Sequence, residues 1–297
     1  MEKRVSALLK LMISMLIFGR IGLFVRYIPL PSSIIAFARA FIGVVFLMIV
    51  LVAKHSKLSA SAIKQNFLVL FLSGAAIGFN WILLFESYKY TTVAVSTLCY
   101  YMAPIIVTLL SPIVLKERIS IKRFLCVIVA IAGMALISGI FKTSALQQGG
   151  AKGIVFGFGA AILYATVILL NKKLKDIDAM ERTVCQLVVS AVVLLPYILL
   201  ADDTVSLHIA PLEIVLLAAV GIIHTGLAYY LYFGSMQNLS GQSISIASYI
   251  DPVVAVFISV TILCEPFDIY TIIGAAAILG AALVSELPSR KGNRNDN

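Results

Sequence analysis

Charge is what this chain has least of. Acidic and basic residues make up only 12% of its 297 positions, about half the share found in an ordinary soluble domain. Histidine occurs three times and tryptophan once. The four cysteines, Cys99, Cys126, Cys185 and Cys264, form no Cys-x-x-Cys pair, which argues against a thiolate metal site or a disulfide framework. No phosphate-binding glycine loop is present, so ATP-driven work is not expected. No clustered metal or nucleophile constellation is present either, and the sequence predicts no enzyme, no cofactor and no metal centre. The net charge of +9 lies in short loops between apolar runs. Charge placed that way orients a membrane protein and does not form a nucleic-acid surface.

Apolar residues fill the chain instead: 61% of it is hydrophobic and the mean hydropathy is +1.04. Ten segments approach the ~20 residues that cross a bilayer as a helix. They run over 7–26, 33–53, 66–87, 92–115, 121–141, 152–172, 183–201, 211–234, 243–264 and 269–287. The first could pass for a signal peptide, but Arg20 interrupts it, no small-residue cleavage site follows, and further spans come after it. The linker-like KTSALQQGGAK, Lys142 to Lys152, divides the chain. The domain reading is a first five-helix repeat at 1–141, a linker at 142–151, and a second repeat at 152–297 with a short cytoplasmic tail. With the N-terminus inside, seventeen of the twenty-three Lys and Arg fall in cytoplasmic segments and four outside. That bias predicts both termini in the cytoplasm.

The two halves share a register. YMAPII, Tyr101 to Ile106, matches YIDPVV, Tyr249 to Val254, and from Gly78 to Ile137 the chain aligns without a gap on Gly226 to Ser285. Ten of those sixty positions are identical, among them Phe85/Phe233, Ser87/Ser235, Tyr101/Tyr249, Pro104/Pro252 and Glu117/Glu265. Ser120 and Asp268 correspond as N-caps of the last span in each half. Five spans is an odd number, so the halves must run in opposite senses. The fold expected is therefore an all-α membrane protein of ten transmembrane helices, arranged as two inverted five-helix repeats with a ligand site near the midplane.

Pro104 and Pro252 lie mid-span, where a proline frees the carbonyl four residues back (Tyr100 and Ser248) and disfavours helix at the residue before it. Bends are thus expected at Ala103 and Asp251, unless the prolines are plain packing kinks. An aspartate mid-span costs about 2.5–3.5 kcal/mol on insertion scales, so it must be paired, protonated or wet. Asp251 either pairs with Arg39 or His224, or binds a substrate amine or a coupling proton. Its twin is Ala103, so symmetry does not require the carboxylate, which favours function. Arg20, Arg39 and Glu86 either pair or snorkel to the outer interface, or line a cavity suited to a zwitterion. Asn80 offers a hydrogen bond. Trp81 offers a ring for a substrate or cation, unless it is an interface anchor. His224 is either a helix contact or a proton relay. Tyr101 and Tyr249 would flank a ligand, while Glu117 and Glu265 read as helix-end structural residues.

The motifs PIIVTLLSPIVLKE, Pro104 to Glu117, PVVAVFISVTILCE, Pro252 to Glu265, and FARAFIGVVFL, Phe37 to Leu47, resemble the EamA-type branch of the drug/metabolite transporter superfamily. An acidic residue before the second proline fits that family's pattern, whereas Arg20 and Glu86 depart from it. The resemblance implies an inner-membrane carrier working by alternating access, often an exporter of amino acids or other small metabolites. Its partners would be a small-molecule substrate, a coupling proton and the lipid bilayer. A quaternary-ammonium or drug-cation carrier is the alternative within transport. A membrane-embedded enzyme or scaffold is a more distant one.

Overall fold

The computed structural model describes residues 2–56, 58–114, 116, 119–137, 150–201, 209–236, 239, 244 and 247–286. Every regular element among them is helical. The elements are α1 (Glu2–Phe18), α2 (Ile21–Arg26), α3 (Ser32–Ala53), α4 (Ala60–Gln65), α5 (Phe67–Tyr90), α6 (Val93–Tyr100), α7 (Ala103–Val114), α8 (Ile121–Ile137), α9 (Gly150–Asn171), α10 (Ala179–Ala201), α11 (Pro211–Gly221), a π-helical turn (Ile222–Leu227), α12 (Ala228–Met236), α13 (Ile250–Thr261) and α14 (Ile269–Glu286). Among the described residues, seven segments are long and apolar enough to cross a membrane, and Ile250–Thr261 and Ile269–Ser285 are shorter apolar helices. The linker's residues 142–149, the C-terminal tail and Glu117 lie outside the described residues.

Several spans are not single helices. The first is interrupted between Phe18 and Ile21, and the fourth between Tyr100 and Ala103. The predicted bends at Ala103 and Asp251 therefore need correction. The fourth span breaks at Tyr101 and Met102, and the chain turns at Tyr249 before α13. Both prolines then sit in the first turn of the helix that follows, where the amide they lack would have had no partner anyway. The two predicted caps are present: Asp268 Oδ1 accepts the Thr271 amide at 2.8 Å and Ser120 Oγ accepts that of Arg123 at 3.3 Å.

Two apolar cores hold the bundle. One joins α2, α3, α5, α10 and α11 around Ile35, Leu47, Phe85 and Leu194. The other joins α6, α7, α8, α9 and α14 around Leu98, Ile105, Ala130 and Ile278. Each core draws on both halves of the sequence. Close approach makes this possible: a Cβ at Gly133 would stand 2.8 Å from the Gly274 carbonyl oxygen, and one at Gly274 would stand 2.6 Å from that of Gly133. Of the small-residue patterns, Gly74/Gly78 and Gly153/Gly157 lie at helix contacts, whereas Gly280 faces open space. Large side chains such as Leu200, Ile113 and Phe257 point outward, as lipid contact requires.

Candidate functional site

The site is built from the turns and breaks of these helices. On α3, Arg39 is only 5% exposed, so it does not snorkel to an interface. Its guanidinium carbon stands 3.9 Å from the centre of the Trp81 ring and 5.9 Å from that of Phe85, one turn further along α5. Trp81 is likewise buried. It is no interface anchor, and the cation on its ring belongs to the protein itself.

Arg39 Nε donates to Thr225 Oγ1 at 2.9 Å. Thr225 lies in the π-helical turn and donates its own proton to the Val220 carbonyl, five residues back, at 3.1 Å. The wide turn thus leaves a hydroxyl lone pair aimed at the arginine, a use of π-bulges seen at functional sites elsewhere. Two glycines let α3 and this turn meet. A Cβ at Gly43 would lie 2.6 Å from Thr225 Cγ2, and one at Gly226 would lie 2.5 Å from Phe46 Cγ.

Asp251 occupies the first turn of α13, where the helix dipole favours a negative charge. The Tyr101 side chain lies within its electrostatic reach. The Tyr101 hydroxyl donates to the Ser248 carbonyl at 3.2 Å, and so satisfies a group left open at the second break. The ring of Tyr249, at the second break, lies 6.3 Å from that of Tyr101. Arg39 is within electrostatic reach of Asp251, yet no ion pair joins them. Among the described residues the ion pairs are Arg26–Glu265 and Lys89–Glu86.

Tyrosines wall the space between these charges. Tyr100 stacks on Tyr164 at 5.0 Å, and Phe18 lies 5.2 Å from Tyr229 and 6.4 Å from Tyr232. Tyr164 lies within electrostatic reach of Tyr229, Tyr232 and Asp251 and is 38% exposed.

Other sequence candidates lie elsewhere. Asn80 donates to the Ala160 carbonyl at 2.5 Å and ties α5 to α9. Glu86 is partnered by Ser32 at 2.7 Å and Lys89 at 3.0 Å, not by Arg20. Arg20 is exposed and donates to the Leu16 carbonyl. His224 is buried against Phe24, with ring centres 4.5 Å apart, and its Nδ1 lies 3.3 Å from the Ala219 carbonyl oxygen. Tyr164, Tyr88 and Thr225 are not singled out by the sequence. Only the ring of small neighbours Ala160, Ala161 and Ala165 around Tyr164 hints that one face of α9 packs tightly.

The far end is closed. Glu265 accepts the Val93 amide at 2.8 Å and the Ser259 hydroxyl at 2.5 Å, and it lies 3.7 Å from Arg26. Arg26 in turn donates to the Tyr88 and Thr91 carbonyls. Tyr88, 3% exposed, stands within electrostatic reach of Arg39, Asp251 and Glu265. Beyond it is a separate pocket of about 370 Å³, bordered by Phe85, Tyr88, Arg26 and Lys89.

A multi-pass helical bundle of this kind, with charged side chains held inside it, is an architecture that membrane transporters use. The chain belongs to the EamA-like transporter family, whose pattern matches it twice, at residues 5–139 and 151–286. It is 30% identical over 294 residues to the uncharacterized transporter YxxF of Bacillus subtilis (strain 168), covering 99% of this chain and 93% of that protein. A second uncharacterized transporter, from Archaeoglobus fulgidus, is 25% identical over 281 residues, covering 93% and 94%. A solved crystal structure shares the fold at 18% identity and a TM-score of 0.65, covering 94% of this chain and 97% of its own.

Proposed function

We propose that this protein is a secondary transporter that exports a small zwitterionic metabolite of the amino-acid kind by alternating access. The observation that carries the reading is the separation of Arg39 from Asp251. One buried cation and one half-buried anion stand near each other without pairing, and a chamber between them would leave each free to meet the opposite charge of a ligand. Arg39 would take the carboxylate, with Trp81 and Thr225 fixing its plane. Asp251 would take the amine, or a proton when the amine is absent, and Tyr101 and Tyr249 would close over the ligand. An exchange of amine for proton at one carboxylate would couple export to inward proton flow. The cation-cage alternative loses ground because Arg39 itself occupies the Trp81 ring.

The wider plan follows from the same reading. Ten spans in two inverted repeats would place the Tyr101 and Tyr249 breaks together at the midplane, as their ring distance supports. Both termini would be cytoplasmic in the inner membrane. The Glu265 end would face outward and the open tyrosine wall inward, so this is the inward-open state.

The test is transport in proteoliposomes across amino acids, choline-like cations and sugars, with and without a pH gradient. Proton-dependent counterflow of an amino acid, lost in Asp251→Asn, is the expected result. Carriage of choline-like cations alone, or an unchanged pH response in the variant, would overturn it.

A further inference from the structure

The helix α10 begins with a charge in an unfavourable place. Arg182 lies in its first turn, where the partial positive charge of the helix end repels a cation. The carboxylates beside it in sequence are engaged with backbone amides. Asp178 accepts the Met180 amide at 2.7 Å, and Glu181 accepts the amide of Ser59. Among the described residues no ion pair includes Arg182. Its Nε is buried with no hydrogen-bond partner. An orphaned charged donor is costly, and such a group calls for an acceptor that comes and goes.

The surroundings indicate where that acceptor arrives. Tyr232, Asp178 and Tyr164 lie within electrostatic reach of Arg182. Tyr232 packs on Phe18, which also packs on Tyr229, and Tyr164 stacks on Tyr100. Arg182 therefore stands beside the tyrosine cluster. Arg39 instead touches Trp81, Phe85 and Thr225 and lies within electrostatic reach of Tyr229, Tyr100, Tyr88 and Asp251. The two guanidinium groups thus stand among different side chains, so a ligand would meet them in turn.

We propose that Arg182 is a second anion subsite at the mouth of the chamber, which captures the carboxylate of an incoming ligand before Arg39 receives it. This rests on the reading of the chamber as a carrier's ligand site. Capture by a positive mouth raises the encounter rate and is screened by salt.

Two measurements test it. The first is proteoliposome transport of L-leucine and of L-leucinamide, which lacks the carboxylate, in wild type, Arg182→Gln and Arg182→Lys. The Gln variant should raise KM for leucine about tenfold, with a much smaller change in turnover and a weaker salt dependence. Leucinamide should be unaffected, and the Lys variant should recover most of the loss. The second needs no substrate. In a Cys264→Ser background carrying Tyr164→Cys, the reaction rates of an anionic and a cationic methanethiosulfonate are compared. Their ratio should fall about tenfold when Arg182 becomes Gln. An unchanged leucine KM in the Gln variant, beside a large loss in Arg39→Gln, would overturn the mouth subsite and leave the carrier reading standing. If wild type carries neither compound, the carrier reading fails on this pair, and an unchanged reagent ratio would independently remove the subsite.

Discussion

The two helix breaks make an instructive pair. Each falls at a tyrosine three residues before a proline, Tyr101 in one half and Tyr249 in the other, and the two rings lie 6.3 Å apart. Their backbones agree closely, with φ/ψ of −72°/2° at Tyr101 and −73°/−7° at Tyr249. Their chemistry does not. The first-half helix resumes with Ala103, buried in the apolar core. The second resumes at Ile250 and presents Asp251 in its first turn, while the Tyr101 hydroxyl bonds the Ser248 carbonyl across the break. The same break is thus used once as scaffold and once to present a charge. The hydroxyl from the scaffold side serves the working side, so neither break is complete alone.

The comparison breaks most visibly at the carboxylate. Asp251→Asn should lower transport by at least about a hundredfold, since removing one member of a desolvated charge contact costs several kcal/mol, and should flatten its response to a pH gradient. Adding Ala103→Asp should not restore either, because the first break faces apolar neighbours. Proteoliposome counterflow measures both.

Next is Arg39→Gln. Loss of a charged donor and its stacking contact should raise KM for a carboxylate-bearing ligand by about a hundredfold. The sole tryptophan, Trp81, loses the cation on its ring, so its emission should shift in the unliganded protein as well. A variant with reduced transport and an unmoved emission spectrum would detach Arg39 from the site as drawn.

Thr225→Val removes only the acceptor that fixes the arginine, and about a tenfold rise in KM is expected. Thr225→Ser keeps the hydroxyl and should stay near wild type, which separates orientation of Arg39 from general damage to the π-helical turn. At the closed end, Glu265→Gln weakens a cap on α6 and its contact with Arg26. A loss of about 1 kcal/mol is expected, read as a fall of about 2–4 °C in thermal midpoint.

The smallest effects test the equivalence of the breaks. Pro104→Ala and Pro252→Ala should each change transport by less than about threefold, because both prolines sit where the helix leaves an amide unbonded. A large effect at one proline only would mean that the two breaks are held open by different means.

Much of the frame was legible in the residues. Hydropathy and the placement of Lys and Arg pointed to a multi-pass protein, the twin Tyr–Pro–Glu spacing located both breaks to within two residues, and Ser120 and Asp268 announced their caps. The site was less legible. Asp251 and Arg39 drew notice because charge in an apolar run is expensive. Asn80 and Glu86 drew it for the same reason, yet the first ties two helices together and the second pairs with Ser32 and Lys89. Cost alone marks a polar group as needing a partner and does not say whether the partner is protein or ligand.

What the sequence determined by itself is the solvent of the outer surface, the helical state, and the two places where the helix must falter, because these depend on composition and on neighbours a few residues away. The tertiary structure decided which polar groups are spent on each other and which are left to face the chamber. Arg39 reaches Thr225 only because glycines on α3 and on the π-helical turn let the two approach, and Tyr101 reaches the Ser248 carbonyl only because each apolar core interleaves both halves of the chain. Those pairings span 186 and 147 residues along the chain, and no local pattern encodes them.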